Sequence, residues 1–255
     1  MDRGTWIGLL LGIVLLGVAI GFGPNPRIFF HPASTMVVVG GIVASLFIRF
    51  PLSHVAGAFH IASGAFFTRV PDPQDTVRQI VGLAQIAKRQ GSNNLEKQAA
   101  LEGFLGQGLR MVVDRLDPGL IEDRLLREIQ ATQERHSQGQ EIFRFIATAA
   151  PSFGMVGTLI GMVQLFATLK DPTGVGGAMA LSLLSTLYGA VIAYLFAIPV
   201  AGKLELRSRE ELQMKRLMME GVMGIQAEMN PALLESQLNA HLAPTKQVRL
   251  HAGSR

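Results

Sequence analysis

The sequence predicts an all-α membrane protein: four transmembrane helices, a helical cytoplasmic domain between the second and third, and a helical C-terminal tail. Three observations lead there. With 49% hydrophobic residues and a mean hydropathy of +0.33 over 255 residues, the chain is more apolar than an ordinary soluble domain. Its apolar stretches are long, and they carry no charge across membrane-spanning lengths. No segment alternates as a strand would, and none repeats at solenoid spacing.

The first span, 4–23, holds twenty uncharged residues, enough at about 1.5 Å per residue to cross roughly 30 Å of hydrocarbon. Asp2 offsets Arg3 and leaves no basic start ahead of the apolar run, so this is read as a span rather than a cleaved leader. The second span, 32–50, is uncharged from Pro32 to Ile48. The third, 145–169, and the fourth, 176–202, contain no Asp, Glu, Lys or Arg. An even number of crossings puts both termini on one side. Of 23 Lys and Arg residues, twelve lie between Arg49 and Arg144 and eight from Lys203 onward, so by the positive-inside rule both segments are cytoplasmic.

The cytoplasmic domain, 51–144, balances its eleven basic residues with eleven acids, the pattern of a mixed-charge helical domain and not of a nucleic-acid-binding arm. Asp72-Pro73-Gln74-Asp75 offers an N-cap, a proline at the first helical position and an early acid; the helix runs to about Gln90 and stops at Gly91. Asn94 can cap a second helix with Leu95, Leu101, Leu105, Leu109 and Val112 on its apolar face. Asp117-Pro118 opens a third that runs through Ile129, Gly139 and Phe143 into the membrane without a break. In the tail, 203–255, a helix spans Lys203–Met229, and Asn230-Pro231 starts a shorter one to about His241.

Catalysis finds no support. HExxH, G-x-S-x-G and the phosphate-binding G-x-x-x-x-G-K-[ST] are all missing, and His54 and His60 fall on different sides of a helix. Without cysteine there is no thiolate metal site or disulfide. No cofactor and no stable metal site is expected, only a transient Na⁺.

Each of the last two spans carries a stripe of small and hydroxylated residues. Gly154, Gly157, Thr158 and Gly161 share one helical face, and Ser182, Ser185, Thr186 and Gly189 share another. Such faces let membrane helices pack closely, the role expected of Gly154, Gly157, Gly161 and Gly189. Converging hydroxyls, with carbonyls freed near Pro151 and Pro199, would also line an ion path. Na⁺ takes oxygen ligands and a proton relay needs an acid, yet the spans hold no carboxylate. The acid must come from another polypeptide.

Ala150-Pro151-Ser152-Phe153-Gly154-Met155-Val156-Gly157-Thr158-Leu159-Ile160-Gly161 and Leu183-Leu184-Ser185-Thr186-Leu187-Tyr188-Gly189-Ala190 resemble the third and fourth spans of the flagellar stator family MotA/PomA, within the wider MotA/TolQ/ExbB proton channel family. The likeness covers nearly the whole chain, including Val39-Gly40-Gly41, Glu134-Arg135-His136 and Gly221 to Pro231. It implies an inner-membrane stator subunit that couples inward H⁺ or Na⁺ flow to torque. It implies a ring of subunits, a pentamer, around a dimer of a MotB/PomB-like single-span partner that supplies the ion-carrying aspartate. Thr158, Ser185, Thr186, Pro151, Pro199 and Tyr188 would line the path. A serine at position 185, where sodium-driven members tend to have threonine, keeps the oxygen and leans the reading to Na⁺. Lys88, Arg89 and Glu96 match residues that engage the rotor protein FliG. Two departures stand out: His31 replaces an acid of the sodium-type pattern, and Ala232 replaces a basic residue. The alternative is an ExbB/TolQ-like energiser of outer-membrane processes, but those relatives have one span before their cytoplasmic domain where this chain has two.

Overall fold

The computed structural model describes residues 3–23, 25–58, 71–91, 95, 103–170 and 172–242. Among them the secondary structure is entirely helical. Helix α1 is Arg3–Gly21, and a 3₁₀ turn lies at Pro26–Phe29. Helix α2 begins as Pro32–Thr35, passes through a π-helical turn at Met36–Gly40 and ends as Gly41–Arg49. Then come α3 (Pro73–Gln90), α4 (Phe104–Val113) and α5, a helix of 50 residues from Pro118 to Ala167. Helix α6 runs as Pro172–Val191, a π-helical turn Ile192–Ala197, and Ile198–Gln226; α7 is Pro231–Asn239. Three helical stretches, Pro26–Arg49, Pro118–Ala167 and Gly174–Gln226, are long and apolar enough to cross a membrane, and a shorter apolar helix, Ile7–Gly21, lies within α1.

The chain forms two units, Met1–Thr68 with His136–Leu206 and Arg69–Arg135 with Arg207–Arg255. In the second unit, Val77, Ile80, Val81 and Ala84 recur at helical spacing along α3 and are buried. They share a core with Leu105, Leu109 and Val112 of α4, Ile121 and Leu125 of α5, Val222 of α6 and Leu234 and Leu238 of α7. Lys215 sits at the edge of this core, where its ammonium donates to Thr132 Oγ1 at 2.9 Å and Glu128 Oε1 at 3.3 Å and lies 5.3 Å from the Phe104 ring centre. The ammonium thus keeps partners where water is scarce.

Asp72 caps α3, its Oδ1 accepting from the Gln74 N–H at 3.0 Å with Pro73 at the first helical position. Gly91 ends the helix at φ +82°, a backbone region that favours glycine. Asp72→Ala should cost about 1 kcal/mol, read as a lowered melting temperature of the purified full chain. Helix α4 begins at Phe104, and Gly103 before it, at φ +91°, is out of helical conformation, so the helix expected from Asn94 does not reach Val112 unbroken. The expected cap Asn94, and Leu101, lie outside the described residues. Helix α5 passes Gly139 unbroken.

In the first unit, the core joins Val38, Ile42 and Leu46 of α2 to Ile142, Phe143 and Ala150 of α5 and Ala193, Ala201 and Leu204 of α6. Arg49 pairs with Glu141 at 2.7 Å and lies over the rings of Phe50 and Phe145, so its charge is held where the apolar stretch of α2 ends.

Candidate functional site

The glycine and hydroxyl faces of α5 and α6 meet each other. A Cβ placed on Gly154 would lie 2.9 Å from the Ser185 carbonyl oxygen, and one on Gly161 would come 2.7 Å from the Ala178 oxygen. On Gly189 it would run into the Ala150 carbonyl, and on Gly157 into the Ser185 side chain. These four glycines therefore let the two backbones approach to a distance that any side chain would forbid.

That approach brings hydroxyls across the seam. Thr158 Oγ1 lies 2.5 Å from Thr186 Oγ1, and it is within hydrogen-bond reach of the Gly154 and Ser182 carbonyls, both at 3.1 Å. Ser182 reciprocates by donating to the Thr158 carbonyl at 3.1 Å. Thr186 is exposed and Thr158 half-buried, so the pair sits at the edge of the seam with oxygen lone pairs beside an open face. Ser185 is placed differently. It is 0% exposed, donates to the Leu181 carbonyl of its own helix at 2.6 Å and packs against Gly157.

The two prolines act on the backbone around this seam. Pro151 lies inside α5 and is half-buried. Pro199 is exposed and comes just after the π-helical turn Ile192–Ala197, where the Ile198 N–H bonds the Ala193 carbonyl five residues back. The wider turn accommodates a ring that would otherwise collide with the Leu195 carbonyl four residues before it.

Tyr188 reaches away from the threonine pair to the 3₁₀ turn. Its hydroxyl donates to the Phe29 carbonyl at 2.5 Å and accepts from the His31 N–H at 3.0 Å. His31 caps α2: its Nδ1 accepts from the Ser34 N–H at 3.2 Å and lies 2.9 Å from Ser34 Oγ. Ser34, fully buried, is 3.3 Å from the Leu181 carbonyl of α6. Tyr188 and Ser34 thus tie the turn and the start of α2 to α6. A lone Ser after Pro32 carries no sequence signal for that role.

Lys88 and Arg89 occupy the last turn of α3, where they also offset the negative end of the helix dipole. Ala232 is exposed in the first turn of α7, and Glu96 lies outside the described residues. Among the described residues no group of acids, histidines or cysteines could hold a metal ion.

Residues 96–217 match the MotA/TolQ/ExbB proton channel family. Over its whole length the chain resembles the chemotaxis protein PomA of Vibrio alginolyticus, at 35% identity over 247 residues covering 97% of this chain and 98% of that one. Motility protein A of Treponema pallidum is 32% identical over 252 residues, covering 98% and 97%. The fold superposes on the flagellar MotAB stator complex from Bacillus subtilis with a TM-score of 0.88 at 25% identity, covering 97% of this chain and 99% of that one. It superposes equally well on MotAB of C. jejuni, also at 0.88, where 22% identity speaks to the fold alone. With relatives above 30% identity matching end to end and the seam motifs in place, the chain belongs to the MotA/TolQ/ExbB proton channel family, among its MotA/PomA members.

Proposed function

We propose that this chain is the ion-conducting stator subunit of a bacterial flagellar motor, acting in the inner membrane with a MotB/PomB-like partner. The observation that carries the reading is the Thr158–Thr186 hydroxyl pair, set at the edge of a glycine-packed seam in spans that hold no carboxylate. Such a lining conducts only beside an acid in trans, which a single-span partner's aspartate supplies. An ion arriving at that aspartate neutralises it and lowers its desolvation cost against the apolar wall, and the ring of subunits steps around the partner. Moving one charge down the membrane potential yields about 2.3 kcal/mol per 100 mV, which here drives rotation.

In this assembly the ring is a pentamer around a partner dimer, and both termini are cytoplasmic. Lys88, Arg89 and Glu96 transmit torque to the rotor protein FliG through charge-assisted contacts that weaken at high salt. The chemistry is transport and not catalysis. The Thr158 and Thr186 hydroxyls and the Ser182 carbonyl form an oxygen set suited to Na⁺, the ion we favour over H⁺; Ser185, turned against Gly157, adds less to that preference. An ExbB/TolQ-like role is disfavoured by relatives of the stator type that match 97–98% of the chain, including both early spans.

Swimming speed of cells that depend on this stator and its partner tests the proposal. Speed should fall when Na⁺ is removed and survive a proton uncoupler at constant Na⁺. The opposite pattern assigns the ion as H⁺, and indifference to both removes the stator reading.

A further inference from the structure

A groove of about 650 Å³ opens on the first unit at the lower end of the α5–α6 seam, lined by Arg144, Thr148, Pro151, Tyr194, Gly202 and Glu205 among others. Its register connects it with the threonine pair. Fourteen residues separate Arg144 from Thr158, which at about 100° per residue returns to within about 40° of the same face. Glu205 lies nineteen residues beyond Thr186, which in a regular α-helix would leave it about 100° off that face. The π-helical turn Ile192–Ala197 inserts one extra residue between them and rotates the rest of α6 back by about that amount. One side of the helix pair therefore carries the hydroxyls above and the groove below.

The groove contains chemistry that the seam lacks. Arg144 is the last charged residue before the uncharged stretch of α5, and Glu205 is the first acid after that of α6. They pair at 2.6 Å with side chains 58% and 33% exposed. Ion pairs this open to solvent hold weakly and exchange readily. Thr148 donates to the Phe145 carbonyl at 2.9 Å, which leaves its oxygen lone pairs available, and Tyr194 is 68% exposed.

Resting on the stator reading, we propose that this groove is the release site of the transported cation on the cytoplasmic side, and that the Glu205 carboxylate receives the cation in exchange for Arg144. A proton would convert the carboxylate to the neutral acid and free the guanidinium. A sodium ion would be held by the carboxylate with the Thr148 and Tyr194 oxygens. Water in the groove then takes the ion, and the Arg144–Glu205 pair closes again. The arginine prevents Glu205 from becoming a trap, because a bare carboxylate at the end of the path would retain the ion.

The test uses the full complex with its partner, in cells for torque and in inside-out vesicles for ion flux. Glu205→Gln keeps size and a hydrogen bond to Arg144 but removes the charge; flux and stall torque should fall about tenfold, the equivalent of one charge-assisted ligand, with partner co-purification unchanged. Glu205→Asp should recover most of the loss. The chain has no cysteine, and a Cβ on Gly202 meets no atom within 4 Å, so Gly202→Cys offers a probe independent of the ion pair. A cationic thiosulfonate should arrest flux in that variant, a small uncharged methyl reagent should slow it little, and neither should affect the cysteine-free parent. Flux within about twofold of the parent in Glu205→Gln, or in fully labelled Gly202→Cys, overturns the proposal. If Glu205→Gln fails to assemble, the thiol result decides. A parent complex that passes no ion and generates no torque instead refutes the stator reading.

Discussion

Gly189→Ile should abolish both motility and recovery of a stable complex. A Cβ at Gly189 would strike the Ala150 carbonyl oxygen, with that carbonyl's carbon at 3.1 Å and Gly154 Cα at 3.3 Å, so the three nearest atoms are all backbone and cannot swing aside as a side chain could. The α5–α6 seam would have to open. Overpacking a filled core costs about 1–3 kcal/mol, and separating two helices also pulls apart the Thr158–Ser182 bonds. Detergent-solubilised protein should melt at a lower temperature and retain little partner on affinity purification. Gly40→Ala, where nothing lies within 4 Å of the added atom, is the matched control and should behave as the parent. An assembled, motile Gly189→Ile variant would mean that the helices do not approach as described.

Thr186→Ala should show the opposite separation, with torque lost and assembly kept. Removing the Thr186 hydroxyl leaves Thr158 Oγ1 with the Gly154 and Ser182 carbonyls at 3.1 Å, so no buried donor is orphaned. Thr186 is itself exposed, and its own bond to the Ser182 carbonyl is long at 3.5 Å. The structural cost should stay near 1 kcal/mol or below, within what a folded complex tolerates. The expected readout is non-motile cells that contain the complex in normal amount, with Thr186→Ser partly restoring swimming. Normal swimming in Thr186→Ala would remove this residue from the ion path.

The same seam marks how far local pattern carries. Helices were legible because their signals are local: uncharged apolar length for the spans, Asp72-Pro73 and Asn230-Pro231 for two starts, Gly91 for a stop. The break at Gly103 was not legible, because a run of leucines at helical spacing does not reveal that this glycine adopts φ +91°. Among the site candidates, Ser185 and Thr186 are neighbours in one motif, yet a rotation of about 100° buries one hydroxyl against Gly157 and leaves the other beside Thr158. Tyr188 lies in the same motif and serves the turn before α2, a contact 159 residues away in the chain. Glu205 gave no signal, since α-helical counting places it on the wrong face until the π-helical turn before Pro199 is known.

Length, charge and residue size act along a single helix, so the all-helical membrane class, the close-approach faces of the last two spans and the lack of any carboxylate within them could be read from the chain alone. Helix packing set which hydroxyls meet, which are consumed by their own backbone, and that Arg144 and Glu205 share a groove on the face of the threonine pair. Those outcomes depend on rotation between packed helices, where one inserted residue moves a side chain from one face to another, and helical periodicity read along the chain does not record it.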